Sequence, residues 1–338
     1  QRVAMITKYW EVGIMVLGGV AFYIGAPSFI WLLLFLMAMQ SAMFGPAKYG
    51  ILPEILEEKQ LSSGNGIIQL TTMAAIIAGV ALAGPVFGMV KDAVYQASFV
   101  LVIFSVLGLT SSFFISKPPA ANPAKKIPLN PLVPWSGMGP YFKAIWNDRV
   151  LLNVVVGYTY FWFAGLMVRN NLVAFSSSTL EISAALTSYF LASVTIGIGV
   201  GALGAGFLSR GKIEMGLVPI GALGMGIFSL LLAVPAGIYQ STVLPLFDLF
   251  FVQWVGLPAP GFDAGTVSAG YYLLLQVMVF GLGIFAGVFD VPLAAALQQY
   301  SPRDMKGGII ATSNMLTFLF MSVGSVLMMV MSSMGLTP

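Results

Sequence analysis

The chain has 338 residues, of which 58% are hydrophobic and only 8% charged, with a mean hydropathy of +0.94 and a formal net charge of +3. A soluble domain carries about 25% charged residues, so this composition excludes a water-soluble globular protein, and so small a net charge excludes a nucleic-acid surface. With no Cys and no His, thiol chemistry, disulfides, Cys/His metal sites and imidazole acid–base catalysis are excluded too.

Length is therefore best counted in membrane spans of about 20 residues. Nine apolar runs reach that scale. They cover about 9–24, 28–44, 66–90, 94–116, 150–175, 186–208, 215–238, 271–297 and 309–334. All must be helices, because hydrocarbon leaves open backbone groups unsatisfied. Gly25-Ala26-Pro27 parts the first two. A proline-rich basic stretch, KPPAANPAKKIPLNPLVP, begins at Lys117 and divides the chain into 1–116, a linker 117–149, and 150–338. The stretch 240–270 mixes aromatics with Pro and Gly, and reads as an aromatic belt at the outer interface. Residue 1 is Gln with no signal peptide before the first run, so the chain is expected to begin partway through a longer protein.

Basic residues orient the spans. Alternating the nine loops puts 13 Lys and Arg on one side, Lys8 and Lys48 among them, and only Lys91 and Arg169 on the other. The first side is cytoplasmic by the positive-inside rule. A repeat offset by six spans is also visible. FGPAKYGILPE followed by SGNGIIQL matches FDVPLAAALQQ followed by KGGIIATS, with a Pro at a cytoplasmic helix end and Gly-Ile-Ile opening the next helix. Parallel repeats of six helices are one plan of secondary transporters.

Phe44 to Glu54 combines a helix break, a charge and a tight loop more densely than any other stretch. Gly45, Pro46 and Gly50 are the expected helix-break positions, and Glu54 is a candidate gating partner. The Lys48 ammonium can hold a phosphate as a point charge, or it can snorkel to the interface as an orientation signal. Arg169 lies some 19 positions into its span, where an arginine costs about 2.5–3.5 kcal/mol unless it faces a polar cavity or the outer interface. Asp290, two residues before Pro292, reads as a coupling or pairing acid or as a solvated helix end. Trp10 and Glu11 read as interface anchor and loop partner. The glycines of the sixth run (197, 199, 201, 204, 206) would let helices pack closely.

FGPAKYGILPE with the following Asn65-Gly66 resembles the lysophospholipid transporter branch of the major facilitator superfamily. RVAMITKYWEV, FWFAGLMVRNNLV and VFDVPLAAALQQ are similar to that branch in the same order along the chain. The resemblance implies an all-α fold of two pseudo-symmetric six-helix halves, with these nine runs as helices three to eleven and the chain truncated at both ends. It implies a secondary transporter, with no catalytic residue and no cofactor, moving lysophospholipid from the outer to the inner leaflet of a bacterial inner membrane. Lys48, Tyr49, Arg169 and Asp290 become the expected substrate-binding set, Lys48 and Arg169 holding the phosphate. Two departures stand out: Gln69 where the branch often has an acid, and Asp290 where an apolar residue is usual. A fused acyltransferase or acyl-carrier-protein ligase, and an exporter of another small solute, remain as alternatives.

Overall fold

The structure, a computed structural model, describes residues 2–90, 93–115, 137–182, 184–209, 212–234, 238–239 and 269–335. Regular structure among them is entirely helical, in the order α1 (Arg2–Tyr23), α2 (Pro27–Gly50), the short α3 (Leu52–Ile55), α4 (Leu61–Met89), α5 (Ala97–Phe113), α6 (Gly139–Asn147), α7 (Arg149–Ala174), α8 (Ala184–Leu208), α9 (Leu217–Leu232), α10 (Ala269–Tyr300) and α11 (Lys306–Ser333). Each of the nine predicted runs coincides with one of these helices, and α3 and α6 are additional. Six described segments are long and apolar enough to cross a membrane: Val3–Tyr23, Pro27–Ile55, Arg149–Thr179, Leu186–Leu208, Gly270–Tyr300 and Lys306–Ser333. Large apolar side chains such as Trp31, Phe35, Phe104 and Leu230 point outward, as they must where the surrounding solvent is lipid.

Three boundaries differ from the hydropathy reading, each for a physical reason. The first helix begins at Arg2, not near Tyr9, because its polar residues turn inward: Thr7 is fully buried and donates to the Ala4 carbonyl at 2.9 Å. The second does not break at Gly45-Pro46. It runs on to Gly50, and Ile51 closes it with helical dihedrals. The fourth starts at Leu61 because Ser62 and Asn65 are buried among protein neighbours, and Asn65 Nδ2 donates to the Leu61 carbonyl at 2.8 Å. The break between α1 and α2 falls where expected. Gly25 takes φ +62°, the left-handed region open to glycine, and Pro27 opens α2 where a missing N–H costs nothing. Residues 117–136 and 240–268, where most of the basic linker and the aromatic loop were placed, lie outside the described residues.

Contacts divide the chain into two compact units, neither contiguous in sequence. One comprises 1–58, 76–152 and 297–314; the other comprises 59–75, 153–296 and 315–338. In the first, α1 packs on both α2 and α5. Ile14, Ala21 and Leu33 form a core there, and Trp10 packs against it, so this tryptophan belongs to the bundle and not to a loop. In the second unit, α10 is the central helix. It meets α7 through Phe161 stacked on Phe289 at 5.5 Å, and α9 through Phe228 against Phe285 at 5.8 Å.

Candidate functional site

The α8–α10 contact shows how closely two helices can approach when neither has a side chain in the way. Gly197 and Gly201 on α8 face Gly283 and Gly287 on α10. A Cβ at any of the four would run into a backbone carbonyl oxygen of the opposite helix: those of Phe280, Ile284, Val194 and Ile198 respectively. Of the other glycines predicted for close packing, Gly199 meets Leu70, Gly206 meets the Ser63 backbone, and Gly204 meets nothing within 4 Å. At the start of α4, Ser62 and Ser209 hydroxyls lie 2.8 Å apart, Ser63 donates to the Gly206 carbonyl at 3.2 Å, and a Cβ at Gly66 would stand 2.7 Å from the Ala202 oxygen.

Lys48 lies in the last turn of α2, half-buried, with its Nζ 5.3 Å from the Tyr49 ring centroid. An ammonium at that distance is attracted by the negative face of the ring. Gly45 and Gly50 face the start of α11: a Cβ at Gly45 would stand 3.4 Å from Nδ2 of Asn314, and one at Gly50 would stand 4.0 Å from Cδ1 of Ile310. These glycines therefore act by close packing inside a continuous helix. The helix runs through position 46 as well. Glu54 is exposed in α3, and no ion pair engages it among the described residues.

Below Lys48, on the same face of α2 at i−4 and i−8, come Phe44 and Gln40. They meet a polar cluster that hydropathy reading missed. Lys8 Nζ donates to Glu11 Oε2 at 2.7 Å, one turn along α1. Gln40, only 2% exposed, donates from Nε2 both to that carboxylate oxygen at 3.0 Å and to the Thr7 carbonyl at 3.1 Å. Lys8 Nζ also lies 4.8 Å from the Phe44 ring centroid. Gly108 of α5 leaves room for it, since a Cβ there would stand 3.4 Å from the ammonium. Glu11 is thus an interior acceptor and not a loop residue. The side chains of Lys8 and Glu11 stay 19% and 15% exposed, so the pair is not sealed. A signal was present: charges three residues apart inside an otherwise apolar helix, with a glutamine in the next.

Arg169 and Asp290 belong to the second unit, apart from Lys48 in the contact division. Arg169 is exposed near the end of α7, before the helix widens into a π turn over Phe175–Thr179. Asp290 is 4% exposed on α10, and its Oδ1 has no hydrogen-bond partner. Its neighbours in sequence are committed to apolar contacts, Phe289 on Phe161 and Val291 with Ala202 and Ala205. The reading of Asp290 as a solvated helix end is therefore corrected: it is a buried carboxyl. Toward the other end of α10 runs a polar chain that the sequence did not signal. Ser193 donates to Gln276 Oε1, Gln276 Nε2 to the Tyr272 hydroxyl at 2.7 Å, and that hydroxyl to the Leu186 carbonyl at 2.9 Å.

Residues 10–266 match the Major Facilitator Superfamily. Lysophospholipid transporters LplT of Cronobacter sakazakii and Pectobacterium carotovorum are each 29% identical, covering 93% and 83% of this chain and 68% and 60% of those proteins. The chain thus spans roughly two thirds of the length of the curated relatives it matches. Among solved structures, the transporter FucP in the outward conformation superposes with TM-score 0.66 at 11% identity, covering 99% of this chain and 77% of FucP. A bacterial homologue of the iron transporter ferroportin gives 0.55 at 14% identity, over 98% and 76%. With the family matched over most of its residues and its helical fold shared with such transporters, the chain belongs to the Major Facilitator Superfamily.

Proposed function

We propose that this multi-pass membrane protein is a secondary transporter that carries lysophospholipid from the outer to the inner leaflet of a bacterial inner membrane. The observation that carries the reading is the similarity to lysophospholipid transporters over 93% of the chain. The geometry is compatible with it. Lys48 supplies a half-buried ammonium at a helix end, and Arg169 supplies an exposed guanidinium fork suited to a phosphodiester. Apolar helix faces can accept the acyl chain at about 0.8 kcal/mol per buried methylene, so the headgroup charge is what the protein must accommodate. Transport follows from rocking of the two six-helix halves around the substrate, with Gly45 and Gly50 permitting close helix approach at the cytoplasmic end. Asp290 is proposed as part of the same path.

Reconstituted full-length protein should take up labelled lysophospholipid, and Lys48→Ala and Arg169→Ala should each lower uptake at least about tenfold, as expected when a charged group loses its buried or cavity partner. Absence of uptake by the wild type would reject the substrate. Full uptake by both variants would reject these two residues as the phosphate holders.

A further inference from the structure

We propose that Lys8, Glu11 and Lys48 form a headgroup subsite for a zwitterionic phospholipid bearing a primary ammonium, with Glu11 as the residue that selects it. This rests on the transport reading above and names the headgroup class for the same protein.

Three observations converge. First, Gln40, Phe44 and Lys48 form one stripe of α2, and that stripe meets Lys8 and Glu11 of α1 through two hydrogen bonds from Gln40 and the Phe44 ring beneath Lys8. Second, Lys48 lies close enough to Lys8 to feel its positive charge. Two cations and one carboxylate thus share the site, leaving one positive charge in excess. Third, the Lys8–Glu11 pair is partly open, not enclosed, so a ligand group can reach both ends.

A phosphodiester carries one negative charge and matches the excess. Settling between Lys8 and Lys48, it relieves their mutual repulsion and draws Lys8 away from Glu11. Glu11 then keeps only the Gln40 N–H, and a carboxylate left half-paired in a low-dielectric site is costly. A primary ammonium three bonds from the phosphate oxygen, with three N–H donors, takes the place Lys8 vacated. One ion pair is exchanged for two. A glycerol headgroup brings hydroxyls but no charge for Glu11. A quaternary ammonium brings charge but no N–H. The carboxylate thereby discriminates by what it would leave unpaired, a form of rejection more effective than added attraction.

The test uses full-length protein in proteoliposomes with lysophosphatidylethanolamine and lysophosphatidylglycerol of matched chain length. The wild type should favour the ethanolamine lipid by about fivefold or more, since loss of one charge-assisted contact is worth at least that. Glu11→Gln should bring the ratio near one by losing ethanolamine-lipid uptake while glycerol-lipid uptake persists. If Glu11→Gln lowers both together, or neither, Glu11 is only a brace between α1 and α2 and the proposal falls. Should that variant fail to fold, the wild type decides: soluble glycerophosphoethanolamine should inhibit uptake at concentrations where glycerophosphoglycerol does not, and equal inhibition overturns selection. If the wild type moves neither lipid, the transport reading fails. The subsite is then judged separately, by whether glycerophosphoethanolamine and not glycerophosphoglycerol changes the fluorescence of Trp10, adjacent to Glu11.

Discussion

Single side chains in this protein are placed by hydrogen-bond needs that lipid cannot meet. The Tyr239 hydroxyl donates to the Leu231 carbonyl at 2.6 Å, an acceptor that the end of α9 leaves without an intrahelical donor. Burial pushes the phenol pKa up, so the proton that makes this bond is held more firmly than in a free tyrosine. Tyr239→Phe should lower thermal stability in detergent by about 1 kcal/mol, the net worth of a typical hydrogen bond, and a melting curve superimposable on the wild type would show the bond idle. Gln40→Leu should be worse, roughly 1–3 kcal/mol, because it strips a donor from the Glu11 carboxylate and from the Thr7 carbonyl together. Differential scanning of the purified variant checks it. At this scale the sequence was only partly legible. Lys48 stood out because a lysine beside Gly-Pro and an aromatic is conspicuous. Lys8 and Glu11 did not, because charges near the start of an apolar run look like loop residues until a partner such as Gln40 is seen across from them. Asp290 was noticed, but nothing in its neighbours revealed whether water or protein covered it.

Whole helices are held by shape. Lipid chains are as apolar as leucine, so helix association depends on close packing and polar contacts. The four-glycine contact of α8 with α10 is the tightest described, and adding one methyl at Gly201 places it against the Ile284 carbonyl, with backbone and not a movable side chain as the obstacle. Gly201→Ala should therefore destabilise the protein by roughly 1–3 kcal/mol, whereas Gly204→Ala, with open space beside it, should leave the melting temperature unchanged. Equal behaviour of the two variants would mean that α8 and α10 do not meet at this face. The glycine count was plain in the sequence. Which glycines bear on a neighbour was not, because spacing of four is common to nearly every membrane helix. Helix ends were misjudged for a related reason. Ser62, Asn65 and Thr7 lower local hydropathy, yet all are buried against protein, and hydropathy cannot tell a polar residue facing water from one facing a partner.

For the molecule as a whole, the fold was legible because the solvent is so restrictive. Nine apolar runs had to be helices, and each has its helix. The charge asymmetry of their loops sets an orientation that a labelling experiment can check, and a chain with no cysteine suits it well. A membrane-impermeant maleimide should reach Glu181→Cys, between α7 and α8, in intact cells, and Glu54→Cys only once the membrane is opened. The reverse pattern would invert the topology.

The Lys8–Glu11 pair has a consequence for biogenesis. Both charges sit on α1, three residues apart and in contact, so the counter-ion travels with the ion. An isolated lysine in a nascent span raises the free energy of partitioning from the translocon into the bilayer by about 2.5–3.5 kcal/mol at mid-helix. A segment that neutralises itself within a single turn presents no such net charge, and needs no second helix at the moment of release. Gln40 can join afterwards, when α2 emerges. The order of synthesis and the order of charge satisfaction therefore coincide.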